Sequence, residues 1–174
     1  LIICLADGDL SSDTPQWDDV TYKPADFALL QVDGSAAHDS HVAVFWRISD
    51  GTEGLNINIT ANASATGMSG VYGRISGCDA DNPTHVLGAN SSGSAGTITL
   101  TGITTTLADS LAMYWVGWDG GAGHVFTTPS TWTEIVEGKT GSGSGNSSIT
   151  FGKKDMASAA ATGNAVMSPE STTG

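Results

Sequence analysis

Positive charge is scarce in this sequence: Lys and Arg together number six against 18 Asp and Glu, and the formal net charge is −12. An acidic chain without a basic patch or an RNA-binding motif disfavours nucleic acid and anionic membranes as partners. The two cysteines, Cys4 and Cys78, are too few for a disulfide framework and lack the C-x-x-C spacing of a metal site. No apolar run approaches the ~20 residues of a membrane-spanning helix. We therefore expect neither a nucleic-acid partner nor membrane insertion.

Catalytic motifs are also missing. The chain has no G-x-S-x-G nucleophile turn, no G-x-G-x-x-G, no P-loop and no H-E-x-x-H. Pairs of acids such as Asp18 with Asp19, or Glu134 with Glu137, resemble glycosidase carboxylates only in type. Neighbouring residues of a strand point to opposite faces, so solvation at the surface is the simpler interpretation. We expect a protein that is not an enzyme and has no catalytic residues.

What the chain does contain is alternation of apolar and polar residues between glycine-rich turns. The run 55–60 alternates Leu and Ile with Asn and Thr, which is typical of a strand with one buried face. No convincing amphipathic helix is present, and the alanines of 156–164 indicate a loop or a single turn. The predicted strands are Phe27–Val32, 41–49, 55–60, Gly70–Ser76, Thr97–Thr101, Leu111–Trp118, Trp132–Val136 and Ser148–Lys153. This spacing predicts an all-β, two-sheet antiparallel sandwich, similar to a jelly roll.

The two ends of the chain repeat one order of parts. An apolar strand reaches an Asp-Gly turn in LIICLADGD and again in LAMYWVGWDGG, and a Pro followed closely by a Trp comes next, at Pro15–Trp17 and Pro129–Trp132. A short strand, a turn, a strand ending in a cation and a final alternating strand complete each half. We expect one sandwich domain over 1–174, with half-repeats near 1–60 and 111–168 linked by strands 70–77 and 97–101. A further strand is expected upstream of Leu1.

The same pieces carry a family resemblance. LIICLADGD, Pro15 to Trp17, VFWRISDGTEG, LNINIT and GRISGCDADNPTH, followed by ITTTLADSLAMYWVGWDGG, resemble β-sandwich domains of bacteriophage virion structural proteins. Gln16 or Thr131 stands where that family usually has Gly before the Trp. The resemblance implies a role in a virion, in a tail, a fibre or a capsid decoration, and it implies no catalytic residue.

Aromatic residues of LAMYWVGWDGG are the candidate binding residues. Met113 and Trp115 should face the core, while Tyr114, Val116 and Trp118 share the opposite face. Core packing is the simpler interpretation of that second face. If it is open, Tyr114 and Trp118, with Trp17, could stack against sugar rings. Such a surface would make the chain a carbohydrate-binding or adhesin module for a cell-surface glycan.

A weak metal motif lies in CDADNPT. Asp79, Asp81 and Asn82 place oxygen ligands two and three residues apart, as calcium loops do. The full calcium-binding series with its closing Glu is absent, and an Asx turn leading into Asn-Pro explains the same residues. Calcium is therefore an alternative to a chain that has no cofactor.

These observations favour a non-enzymatic virion structural protein, located in a virion or outside the cell. It would act by assembly with copies of itself and with other virion proteins, through strand edges and apolar outer faces. The carbohydrate-binding module remains the alternative.

Overall fold

The computed structural model describes residues 2–10, 24–33, 40–54, 56–59, 65–89, 97–119, 125–140 and 147–170. Within these ranges the chain is all-β and antiparallel, as predicted, and no helix is found there that could cross a membrane. The strands are β1 (Ile2–Leu10), β2 (Ala28–Asp33), β3 (Ser40–Arg47), β4 (Ala65–Arg74), β5 (Ile98–Leu100), β6 (Ser110–Asp119), β7 (Val125–Phe126), β8 (Thr133–Lys139), β9 (Ser147–Met156), β10 (Ala165–Met167) and β11 (Pro169–Glu170).

Two main sheets pack face to face. The first has the order β2-β3-β1-β4 and the second the order β6-β9-β8. Val44 and Val71 from the first sheet meet Ile149 and Phe151 from the second in one buried cluster. Burial of these branched and aromatic side chains is the main source of stability for such a sandwich.

The outer faces of both sheets are also covered, which the two-sheet prediction did not include. Two short antiparallel pairs, β10 with β5 and β11 with β7, add strands beyond the second sheet. Tyr114, Val116, Phe126 and Met167 are buried together there. On the first sheet, Phe27 with Ala43 and Phe45 forms the corresponding outer cluster. Each main sheet is therefore apolar on two faces.

Strand β3 shows how the sequence encodes this arrangement. Val44 faces the second sheet with Val42 and Trp46, while Ala43 and Phe45 face the outer cluster. The near-continuous apolar run of 42–46 is the pattern of a strand buried on both faces. Alternation in 41–49 predicts Val42, Val44, Trp46 and Ile48 on one face and Ala43, Phe45 and Arg47 on the other. The structure confirms this division for 42–46.

The strand predicted at 55–60 is wrong for the residues that the structure describes. Residues 56–59 form no ladder. Ile57 and Ile59 nevertheless pack on the Phe45 cluster, and Asn56 and Asn58 are exposed. The alternation therefore predicted the buried face correctly. It could not predict a strand, because periodicity does not show whether a segment has a neighbouring strand to hydrogen-bond with.

The internal repeat is present in the topology. Strand β1 pairs with β3, which pairs with β2, and in the second half β6 pairs with β9, which pairs with β8. The pairing of β2 with β3 and the pairing of β8 with β9 each contain a bulge at the same place. Leu30 is the extra residue in β2 and Ile135 is the extra residue in β8. A bulge is a specific local irregularity, so its recurrence at one position supports equivalence of the halves.

Matching turns and cations extend the equivalence. The amide of Phe27 donates to the carbonyl of Pro24 at 3.2 Å just before β2, and that of Trp132 donates to Pro129 at 2.9 Å just before β8. Arg47 lies 5.9 Å from the centre of the Phe27 ring, and Lys154 lies 5.9 Å from the ring of Trp132. The counterpart of Pro129–Trp132 is therefore Pro24–Phe27. The stretch Pro15–Trp17, which the sequence matched with Pro129–Trp132, lies outside the described residues.

Candidate functional site

The aromatic face of β6 is a core face. Tyr114 is 4% exposed and Val116 is 5% exposed, and Trp118 is half-buried against the same cluster. Two strands of the outer layer, β5 and β10, contribute Ile98, Leu100 and Met167 to this cluster. Stacking on a sugar requires an open ring face, so the predicted platform is wrong for Tyr114. Trp17, the third residue proposed for it, lies outside the described part of the chain.

Tyr114 is packed between Gly152 and Trp132. Its ring lies over Gly152, its register partner on β9, where any added β-carbon would overlap the ring. Trp132 packs edge to face against it, with ring centres 5.4 Å apart and an interplanar angle of 68°. Burial raises the pKa of the Tyr114 hydroxyl above its usual value, with smaller contributions from the charges of Glu134 and Glu137. Tyr114 therefore acts as a neutral packing residue.

The other aromatic of the stretch, Trp115, faces the opposite way. It packs with Met113 against the cluster between the two main sheets. The prediction that Trp115 is a core residue is confirmed. Both faces of β6 are consequently occupied by other side chains of the protein.

The acidic loop 79–82 forms a turn. The carboxylate of Asp79 accepts hydrogen bonds from the backbone amides of Asp81, at 2.9 Å, and Asn82, at 3.3 Å. This is the Asx turn that the sequence offered as the alternative to calcium binding. Among the residues described by the structure, no group of three or more His, Cys, Asp or Glu side chains is placed to hold a metal ion.

A second polar cluster ties the end of the first sheet together. Arg74 at the end of β4 donates to Glu53 at 2.8 Å, and Arg47 at the end of β3 lies 3.3 Å from Asp50. Hydrogen bonds from Thr52 lower the pKa of Asp50, and one from Ser49 lowers that of Glu53. The cluster closes the loop after β3, with Arg47 and Glu53 half-buried and Arg74 and Asp50 exposed, which suits a structural role.

The feature that the sequence did not predict is a cleft of about 1170 Å³ beside β6. Leu30 and Val42 of the first sheet line it on one side, and Leu111 and Met113 of β6 line it on another. Residues 82–89 and 97–107 complete its walls. Gln31 donates a hydrogen bond to the carbonyl of Gly88 at 3.1 Å, which holds the first of these segments against β2.

Exposed apolar side chains collect at this cleft. Leu87 is 53% exposed, Leu107 is 54% exposed and Val86 is 36% exposed, and all three line it. None lies in a predicted strand, and they share the cleft because 82–89 and 97–107 both line it, with His85 hydrogen-bonded to Thr106 between the two segments. A sequence signal exists in Val86-Leu87, an apolar pair between Pro83 and Gly88, but it carries no information on what lies opposite.

A cleft lined by apolar side chains and bordered by a strand can bind an apolar or extended partner. No family model matches the chain, and neither a curated protein nor a solved structure matches it.

Proposed function

We propose that this chain is a non-enzymatic structural domain of a virion, a capsid decoration or a component of a tail or fibre. It acts by assembly with copies of itself and with other virion proteins. The observation that carries the assembly function is the cleft beside β6, with the apolar side chains of Leu87 and Leu107 more than half exposed along it. The virion context rests on the resemblance of the quoted sequence motifs to phage β-sandwich domains.

Exposed apolar residues gathered at one place favour an interaction surface over chance exposure. Single surface leucines are common in monomers, but a contiguous patch costs solubility unless a partner covers it. Burying the remaining exposed part of one such leucine stabilises a complex by about 1 kcal/mol. Leu87, Leu107 and Val86 together would then contribute a few kcal/mol, enough to make assembly depend on concentration.

The charge of the chain fits the same function. A net charge of −12 makes free subunits repel one another at long range. This repulsion is screened over about 8 Å at physiological salt, whereas contact between apolar surfaces is not screened. Salt should therefore promote association. This salt response is opposite to that of a protein that binds a polyanion.

The test is the native mass of the protein as a function of concentration and salt, by light scattering, followed by electron imaging of any assembly. Leu87→Ser with Leu107→Ser should weaken association roughly 30-fold, from about 1 kcal/mol for each leucine. The matched control is Tyr72→Ser with Val166→Ser, because those residues are 59% and 52% exposed and lie outside the cleft. A monomer at all concentrations and salts, or equal weakening by both pairs of substitutions, would contradict the proposal.

A further inference from the structure

Strand β6 is an edge strand within the described part of the chain. It pairs with β9 over ten residues and has no second partner in the second sheet, whose order is β6-β9-β8. In an antiparallel ladder every second residue turns its N–H and C=O away from the existing neighbour. Over Leu111–Val116 the other side of β6 therefore presents a row of backbone donors and acceptors to the part of the chain that the structure describes, the usual template for a further strand.

The internal repeat indicates what belongs beside this edge. In the first half the counterpart of β6 is β1, which pairs with β3 on one side as β6 pairs with β9. On its other side β1 pairs with β4 over nine register positions. The free side of β6 is thus equivalent to the side of β1 that carries β4.

The packing of the two sheets leads to the same position. Strand β8 at one edge of the second sheet packs against β4, with a β-carbon at Gly138 placed 3.1 Å from Val71. Strand β2, the equivalent of β8, forms the opposite edge of the first sheet. The cleft lies between β2 and β6, and Leu30 and Met113 line it from the two sides. A strand next to β6 would face β2 as β4 faces β8.

The side chains of β4 describe the occupant. Ser69 and Val71 of β4 are buried between the sheets, while Tyr72 is 59% exposed. A strand in the equivalent place needs small or β-branched residues at alternate positions and no charge among them. Leu30 and Met113 present apolar side chains to the equivalent place in the cleft. Backbone hydrogen bonds along the edge and apolar contacts below it are the two components of strand addition.

We propose that the free edge of β6 accepts an extended strand from a neighbouring subunit, antiparallel to β6, which completes a four-stranded sheet. The donor strand carries small or β-branched residues at alternate positions and lies in the cleft opposite β2. This inference rests on the proposed assembly function, because that function supplies the neighbouring subunit. It specifies the contact as strand addition along Leu111–Val116.

The experiment is hydrogen exchange of the 174-residue chain with a synthetic peptide of the β4 sequence, ATGMSGVYGR. The peptide should bind saturably and slow amide exchange within 111–116 by about tenfold or more. The same peptide with N-methyl groups at alternate positions loses the edge hydrogen bonds and should not protect these amides. Leu111→Lys, which places a charge in the cleft, should abolish protection, while Val166→Lys, on β10 outside the cleft, should leave it unchanged.

Three results would overturn the inference. The first is that the amides of 111–116 exchange as slowly without the peptide as with it, which would mean that residues of this chain already cover the edge. The second is that the peptide gives no protection to 111–116, or that it protects β2 or β8 instead. The third is that the chain alone dimerises through β6, which would mean that β6 of a second copy pairs with this edge. Failure of the assembly function is a separate outcome, since a chain that binds the peptide but never assembles retains the edge site and loses the virion role.

Discussion

Replacing Gly152 by Ala tests the packing of the outer cluster most directly. The added methyl group would occupy the space of the Tyr114 ring. That ring has little room to move, because Trp132 packs against its edge and Tyr114 is 4% exposed. Overpacking of this kind costs about 1–3 kcal/mol. For a chain of this size the melting temperature should fall by roughly 2–12 °C.

The assay is a double-mutant cycle followed by urea and thermal unfolding. Tyr114→Ala alone should cost about 3–5 kcal/mol, since it removes a large buried side chain. In that background Gly152→Ala should cost little, because the ring that it would displace is gone. The difference between the two costs measures the coupling of Tyr114 with Gly152.

Gly73→Ala is the matched control. Gly73 is also inside a strand, and its β-carbon would meet Phe151 at 3.4 Å, an ordinary contact. This change should be neutral or stabilise by a few tenths of a kcal/mol through the unfolded chain. The reasoning fails if Gly152→Ala leaves stability unchanged, or if it costs the same with and without the Tyr114 ring.

Two further predictions concern pH and a close backbone approach. Because the pKa of Tyr114 is raised in the folded state, the stability that its neutral form contributes should be complete below pH ~10 and decline as pH rises through the folded pKa. Chemical denaturation across pH 9–12 should show that Tyr114→Phe flattens this decline. An unchanged slope would contradict burial of Tyr114 as its cause. Gly102→Ala would place a β-carbon 2.5 Å from the carbonyl oxygen of Gly163, so it should lower stability by about 1–3 kcal/mol. Gly163→Ala meets no atom but has φ of +73°, so it should cost about 1 kcal/mol; equal urea midpoints for the two variants would refute this order.

Local patterns predicted the strands well because each face of a strand is set by its own residues. The alternation in 42–47 correctly divided Val44 and Trp46 from Ala43 and Phe45. Bounds near 111–118 and 148–153 also agree with β6 and β9 to within a few residues. The repeat could be predicted because both halves keep an apolar strand, an Asp-Gly turn and a strand ending in a cation in the same order.

Pairing between distant segments could not be predicted in this way. The outer pairs β10 with β5 and β11 with β7 join short strands, some of only two residues, with no periodicity to detect. Without them the sequence left open whether the face of Tyr114 and Trp118 is covered, although core packing was the simpler interpretation. The cleft was missed for the same reason, because Leu87 and Leu107 become neighbours only through the path of the folded chain.

The position of β1 has a mechanical consequence. It lies in the middle of the first sheet, with an antiparallel ladder to β3 on one edge and to β4 on the other. A pulling force along β1 would load both ladders in shear, so many hydrogen bonds would have to break together. A strand peeled from a sheet edge instead loses its bonds one at a time. Tension applied through the chain near Ile2 would therefore meet a slow unfolding step, and the lifetime of the domain under load would depend on that barrier more than on equilibrium stability.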